Sequence, residues 1–297
     1  MCKINFVTLS QNKFASYRYH NEIPARELQF LGHDTTISPF PAIDHDVYVF
    51  SKHHNFGEYW AVKGLKTEGK RTVFHVCDNY FGYEERDHYI RMIKEADIVV
   101  TPTTQMAAVI RNETGKEATV IPDSYEFPLA DPEFRGLSSR LRVLWFGHQF
   151  NLRHLKTILP LPDFCELRIC TLFENNTPPP SVAKYPYIPW SHQALIQELK
   201  DCDCVIVPFD LNEEYSLTKS ANRLVESVRR GRFVIASPIP SYQEFNEMYI
   251  GDIHEGLNWL KDQSNDEIIR RIAETMKQIE KYNPQRIGKI WEEVLCG

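Results

Sequence analysis

One pattern constrains this chain more than any other, and it occurs twice. Ala96-Asp97-Ile98-Val99-Val100-Thr101-Pro102 leads through a helical stretch to Gly115 and the run Ala118 to Ile121. Cys202-Asp203-Cys204-Val205-Ile206-Val207-Pro208 leads through another to Gly231 and the run Phe233 to Ala236. Short continuous apolar runs of this kind are strands covered on both faces, and a helix between two of them is a parallel crossover. The recurrence predicts two similar α/β units in tandem.

The rest of the chain fits that frame. Strands are predicted over Ile4 to Leu9, Thr35 to Ile37, Val47 to Phe50 and Val73 to Val76, with a polar loop from Ser10 to Tyr19 that contains Lys13. A helix through Glu22, Pro24, Leu28 and Leu31 ends at Gly32, and another covers Asn55 to Lys66. Pro122 to Arg140, with Pro128, Pro132 and Gly136, reads as a linker. Leu141 to Phe146 restarts as a strand that ends at Gly147; Leu167 to Leu172 is another, followed by a polar loop over Asn175 to Pro180. Ser191 is placed to N-cap a helix reaching Lys200, and helical patterns over Asp266 to Tyr282 and Pro284 to Leu295 are broken at Asn283-Pro284. The expected domains are residues 1–125, a linker over 126–140, a second domain over 141–282 and a final helix over 283–297.

Composition excludes several classes. At 297 residues, 42% hydrophobic and 25% charged, the chain is an ordinary globular one with room for two domains. A net charge of −6, with lysines and arginines scattered, argues against a nucleic-acid partner. No apolar run approaches a transmembrane length, and Met1 to Leu9 reads as a strand rather than a signal segment. The expectation is a soluble, cytoplasmic protein; peripheral membrane association is left open, although no strong basic amphipathic helix argues for it. Seven cysteines are read as free thiols. Cys202 and Cys204 share a strand face but lack the further ligands of a zinc site, and no metal is expected. Neither G-x-G-x-x-G nor G-x-x-x-x-G-K-[ST] occurs, which disfavours NAD-dependent and P-loop chemistry.

The most suggestive stretch runs from Ser216 to Glu244. Thr218 or Ser220 is placed to N-cap a helix whose face Ala221, Leu224, Val225 and Val228 is apolar, with Gly231 closing it in a left-handed conformation. Lys219, Asn222 and Glu226 recur at i, i+3 and i+7, so the helix would begin with a cation and carry an acid further on. Helix-dipole preference alone favours the opposite order. A cation beside free helix N–H groups suits a phosphate, and Glu226, about 10 Å along the axis, suits a ribose diol. The competing reading is a solvated polar face.

Other candidates are single residues. Asp78 follows a strand at its C-terminal end, near Tyr80 and Tyr83, where it would act as a base, orient an acceptor hydroxyl, or merely cap a turn or helix. His75 reads as a satisfied core histidine. His148, after Gly147, faces the ligand-binding edge or sits in a plain loop. Arg18 and Arg153 each follow the first strand of their half and suit an anion or the surface. Trp190 would floor a base pocket or simply pack. Asp201-Cys202-Asp203 has the D-x-D form of metal-dependent sugar transferases, but its position matches Asp97 and reads as a structural turn.

Taken together, Lys219 to Glu226, then Gly231 to Ser237 and Tyr242-Gln243-Glu244, resemble the donor-site signature of GT-B-fold glycosyltransferases, within them the family 4-like enzymes (glycosyl transferases group 1). Arg18, Gly32-His33-Asp34, Val120 to Asp123 and Trp145-Phe146-Gly147 add to the resemblance. It implies two Rossmann-like doubly wound parallel-sheet domains facing a cleft, with the C-terminal helix crossing back to the N-terminal domain. It further implies transfer of a sugar from a nucleotide diphosphate-sugar to an acceptor hydroxyl, a carbohydrate or lipid-linked glycan, with retention and no obligatory metal or cofactor. Glu226 would bind the ribose; Lys219, Ser220, Asn222, Arg153, Gly147, His148, Thr218 and Trp190 would surround the donor; Asp78 and Arg18 would serve the acceptor or phosphate side. Many relatives carry a glutamate where Thr218 stands, and a lysine where Arg153 stands. A nucleotide-sugar epimerase of the same architecture and a non-catalytic two-lobed binding protein are the alternatives.

Overall fold

The structure, a computed structural model, describes residues 1–12, 14–52, 56–126, 136–173 and 177–297. Residues 127–135 of the expected linker, together with Lys13, Asn55, Asn175 and Asn176 of the predicted elements, lie outside the described residues. The chain divides into two compact units. The first comprises Met1–Phe127, Leu217–Ser220 and Lys281–Gly297, the second Pro128–Ser216 and Ala221–Glu280.

In the first unit, β1 (Lys3–Val7), β2 (Asp34–Ser38), β3 (Val47–Ser51), β4 (Arg71–His75), β5 (Ile98–Thr101) and β6 (Thr119–Val120) form a parallel sheet in the order β2-β1-β3-β4-β5-β6. Helices α1 (Ala15–Tyr17), α2 (Ile23–Phe30), α3 (Phe56–Thr67), α4 (Arg86–Glu95) and α5 (Thr104–Thr114) accompany it. Alternate residues of each strand serve different layers. Tyr48, Phe50 and Phe74 pack with Val62, Tyr89, Met92 and Met106 of α3, α4 and α5. Val47, Val49 and Val73 pack with Leu28 of α2 and with Trp291. Both sheet faces are thus apolar, which is why the strands read as continuous hydrophobic runs.

The expected polar loop over Ser10 to Tyr19 is helical from Ala15 onward. A π-helical turn over Arg18–Glu22 joins α1 to α2, with the Ile23 N–H donating to the Arg18 carbonyl. Pro24 has no N–H for the His20 carbonyl four residues back, and the wider turn absorbs that missing bond. The helix ends as expected, with Gly32 at φ +91°.

In the second unit, β7 (Leu141–Phe146), β8 (Cys165–Thr171), β9 (Tyr187–Pro189), β10 (Cys204–Val207), β11 (Phe233–Ala236) and β12 (Tyr249–Ile250) form a parallel sheet in the order β12-β11-β10-β7-β8-β9. Its helices are α6 (Leu152–Lys156), α7 (His192–Asp201), α8 (Glu214–Leu217, whose last residue belongs to the first unit), α9 (Asn222–Arg229), α10 (Ile253–Lys261) and α11 (Asn265–Ile279). Ser191 caps α7 by accepting the Ala194 N–H. The apolar face of α9 is buried as read, and Gly231 stands at φ +73°.

The repeated acid has one job in both units. The Thr72 N–H of β4 donates to Asp97 Oδ2 at 2.8 Å, and the Arg142 N–H of β7 donates to Asp203 Oδ2 at 2.8 Å. In return, the Asp97 N–H donates to the Thr72 carbonyl and the Asp203 N–H to the Arg142 carbonyl. Each acid pins the start of its own strand to the start of the neighbouring one. Asp203 also accepts from the Arg142 guanidinium at 2.8 Å, so the D-x-D form is a structural turn. Cys202 and Cys204 are buried, and no group of metal-ligating side chains includes them among the described residues.

The first unit is completed by α12 (Pro284–Cys296), capped by Asn283 and packed on α2. The Trp291 ring meets Phe6 edge-on at 6.1 Å, and Arg71 Nη1 donates to the Leu295 carbonyl at 2.9 Å. Cys2 and Cys296 are joined sulfur to sulfur, which corrects the expectation of seven free thiols. That pairing depends on α12 returning to β1, a contact no local spacing encodes. The remaining five cysteines are buried and unpaired. Among the described residues no helix is long and apolar enough to cross a membrane.

Candidate functional site

Each unit brings polar residues to the C-terminal edge of its sheet, where crossover helices leave room for a ligand. In the first unit, β4 ends at His75 and the chain bends at Asp78, which is buried. Lys52, just past β3, adopts φ +54°, a left-handed conformation that a lysine keeps only where its surroundings hold it. Its Nζ lies 2.5 Å from Asp78 Oδ2, and Lys219 Nζ lies 2.5 Å from Oδ1. Burial alone would raise the Asp78 pKa, but Lys219 and Lys52 outweigh it and hold the carboxyl well below its ordinary range. Burial works against the Lys52 charge too, and Asp78 overrides it to push that pKa up. Lys219 is pushed down by burial, with Lys52 adding repulsion against the attraction of Asp78. One carboxylate between two ammonium groups leaves a single net positive charge. Asp78 is neither a helix cap nor a carboxylate poised near neutrality, as a general base requires.

The segment 217–220 belongs to this unit, which corrects the expected cation-led helix. Thr103 Oγ1 donates to the Thr218 carbonyl at 3.0 Å, and the Ser220 hydroxyl bonds to Asp123. Helix α9 starts only at Asn222, its N-cap is Ala221, and no side chain caps it. Neither Thr218 nor Ser220 serves as N-cap, and Lys219 stands before the helix rather than on a stripe with Asn222 and Glu226. Arg18 is held by Glu126, Nε to Oε1 at 2.7 Å. His75 is a buried core residue but not a satisfied one, because neither ring nitrogen has a hydrogen-bond partner among the described residues.

In the second unit the strand order reverses between β7 and β10. Beyond β7 come Gly147 and His148; exposed His148 caps the turn at Gln149–Asn151 by accepting the Phe150 N–H. Arg153, on α6, stacks over the Phe150 ring at 3.8 Å and pairs with Glu213 beyond β10 at 2.7 Å. Beside it, His154 Nδ1 accepts the Asp210 N–H at 3.2 Å, which places the ring proton on Nε2, 3.7 Å from a Glu213 oxygen. Burial pushes the His154 pKa down to about 4, with Glu213 opposing. Glu226 is buried on α9. Trp190 follows the edge strand β9, two strands away from β7.

Two residues were missed by sequence reading, Lys52 and Arg223. Arg223 lies over the Phe209 ring at 4.8 Å, with Nη1 3.5 Å from the Phe146 carbonyl. No ion pair with a carboxylate holds it among the described residues. A methyl group on Gly147 would stand 3.5 Å from the same nitrogen. Burial pushes the Arg223 pKa down, although a guanidinium stays charged. The block Lys219 to Glu226 contains Arg223, but the spacing that drew attention to its neighbours passed it over. A desolvated guanidinium at the reversal point of a parallel sheet, beside a glycine, is suited to a phosphate or diphosphate.

No family model matches the chain, and no curated protein is similar to it in sequence. Solved structures share its fold. HepE from Anabaena, in complex with UDP, has a TM-score of 0.64 at 12% identity, covering 98% of this chain and 99% of that one. T4 phage BGT, in complex with its UDP-glucose substrate, has a TM-score of 0.61 at 9% identity, covering 99% and 100%. TarM has a TM-score of 0.61 at 11% identity over 84% of this chain, which spans about half the length of TarM, 55%. The two six-stranded parallel sheets, with α12 returning to α2, match the GT-B fold.

Proposed function

We propose that this chain is a glycosyltransferase that moves a sugar from a nucleotide diphosphate-sugar to an acceptor hydroxyl. The observation that carries the reading is Arg223, a half-buried cation with no carboxylate partner among the described residues, at the strand-order reversal of the second sheet. The likeness to structures solved with UDP and UDP-glucose supports it. Arg223 holds the donor diphosphate and stabilises the negative charge that grows as the sugar departs, with Arg153 beside it and Glu226 on the ribose. The positive charge comes from side chains, so no metal is obligatory. In the first unit the net charge of Lys52, Asp78 and Lys219 suits an anionic or hydroxyl-rich acceptor, a carbohydrate or lipid-linked glycan. Retention at the anomeric carbon follows from the resemblance to family 4-like enzymes.

The test is a thermal-shift series with nucleoside diphosphates and nucleotide sugars on the wild type, Arg223→Gln and Glu226→Ala. Stabilisation by one diphosphate that both variants lose places the donor. No shift with any nucleotide sinks the transferase reading. Conversion of a nucleotide sugar to its epimer without acceptor would replace transfer by epimerisation.

A further inference from the structure

The first unit encloses a second polar cluster that the proposed transfer does not use. His20 comes from the π-helical turn, His75 from the end of β4 and Asp123 from the segment after β6. All three are buried, at 7%, 2% and 7% exposure. One donor atom from each lies within 4.8 Å of the other two. Both ring nitrogens of His75 are shut off from solvent without a hydrogen-bond partner among the described residues, whereas His20 also meets the Cys77 thiol. Native interiors rarely leave buried polar atoms without a partner.

We propose that His20, His75 and Asp123 bind one divalent first-row transition ion, zinc by ligand class. Two imidazoles and a carboxylate are a donor set such ions accept. His20 Nε2 and Asp123 Oδ1 are already 3.3 Å apart, the spacing of neighbouring ligands about 2.0–2.1 Å from a tetrahedral zinc. The two imidazole rings meet edge to face with centroids 4.6 Å apart, an arrangement in which both can turn a nitrogen toward a common point. The Trp291 ring, 5.4 Å from His75, closes the cluster on the α12 side. Asp123 also takes the Ser220 hydroxyl, so the ion fixes a carboxylate that in turn holds the segment bearing Lys219. Its role is structural, which separates it from the sugar transfer proposed above.

His33, which lies beside the joined pair Cys2 and Cys296 and away from this cluster, provides the control. The experiment is equilibrium dialysis of the metal-stripped full-length protein against zinc and cobalt, with bound metal measured by elemental mass spectrometry. Wild type should hold one equivalent and melt about 5 °C higher at a hundredfold excess over Kd. His20→Asn and His75→Asn should each weaken binding more than tenfold, and His33→Asn should leave it unchanged. Absence of stoichiometric uptake by folded wild type overturns the proposal even where a variant fails to fold. So does uptake that His33→Asn abolishes and His75→Asn retains.

Discussion

Lys219 Nζ lies 2.5 Å from Asp78 Oδ1, and the pair joins positions 141 residues apart in the chain. With Lys52 on the other oxygen, Asp78 becomes the counter-ion that allows two lysines to share one half-buried place. Removing the carboxylate leaves two like charges facing each other without compensation. Asp78→Asn should therefore cost about 3 kcal/mol in urea unfolding. Lys219→Met should cost less, and the double variant should show a coupling energy of about 1–3 kcal/mol. Independent, additive effects would show that the contact is incidental.

Arg223 and Arg153 both stand near the reversal point of the second sheet, but among the described residues only Arg153 has an acid partner. Arg223→Gln should weaken nucleoside diphosphate binding by about 10–100-fold, equivalent to ~1.4–2.7 kcal/mol, with little change in stability. Arg153→Gln should have a smaller effect on binding, because Glu213 already neutralises that charge. Titration calorimetry on both variants checks the ranking, and equal losses would remove Arg223 from its assigned role.

His154 makes stability depend on pH in a defined window. Its pKa is about 4 in the folded protein and near 6.5 when unfolded, so between those values the unfolded chain holds the extra proton. Its contribution is complete above about pH 6.5 and is lost as pH falls toward 4. Burial and the Asp210 bond disfavour the charged ring. Stability of the wild type should drop by on the order of 1–2 kcal/mol more than that of His154→Gln between pH 7.5 and 4.5. Parallel curves would mean that the ring titrates normally.

Gly288 of α12 packs against Glu27 of α2. A Cβ there would stand 2.6 Å from Glu27 Cβ, so Gly288→Ala must push the helices apart and should cost about 1–3 kcal/mol. Gly64, in α3, has nothing within 4 Å of an added Cβ. Gly64→Ala should be neutral or stabilise by up to about 1 kcal/mol through helix propensity. Thermal denaturation of the two variants compares close packing with propensity, and a tolerated Gly288→Ala would show that α12 packs loosely.

Local sequence was informative wherever structure depends on near neighbours. The run Leu141 to Phe146, the Ser191 cap, the break at Asn283-Pro284 and the Gly231 turn were legible because each depends on residues within a turn or two. The paired acids Asp97 and Asp203 were legible too, since their position before a strand is itself sequence information. The stripe Lys219, Asn222 and Glu226 misled because Thr218 to Ala221 are not helical: the Thr218 carbonyl accepts from Thr103 and the Ser220 hydroxyl bonds to Asp123 instead.

By itself, then, the sequence determined two parallel α/β units and the ends of many of their elements, because hydrophobic runs, caps and breakers act over a few residues. Only the tertiary structure decided that Lys52 and Lys219 converge on Asp78, that Cys2 meets Cys296, and that His20, His75 and Asp123 share one buried place. These partners come from strand ends and helices that become neighbours only when the sheet orders its strands. Periodicity along a chain carries no record of that order.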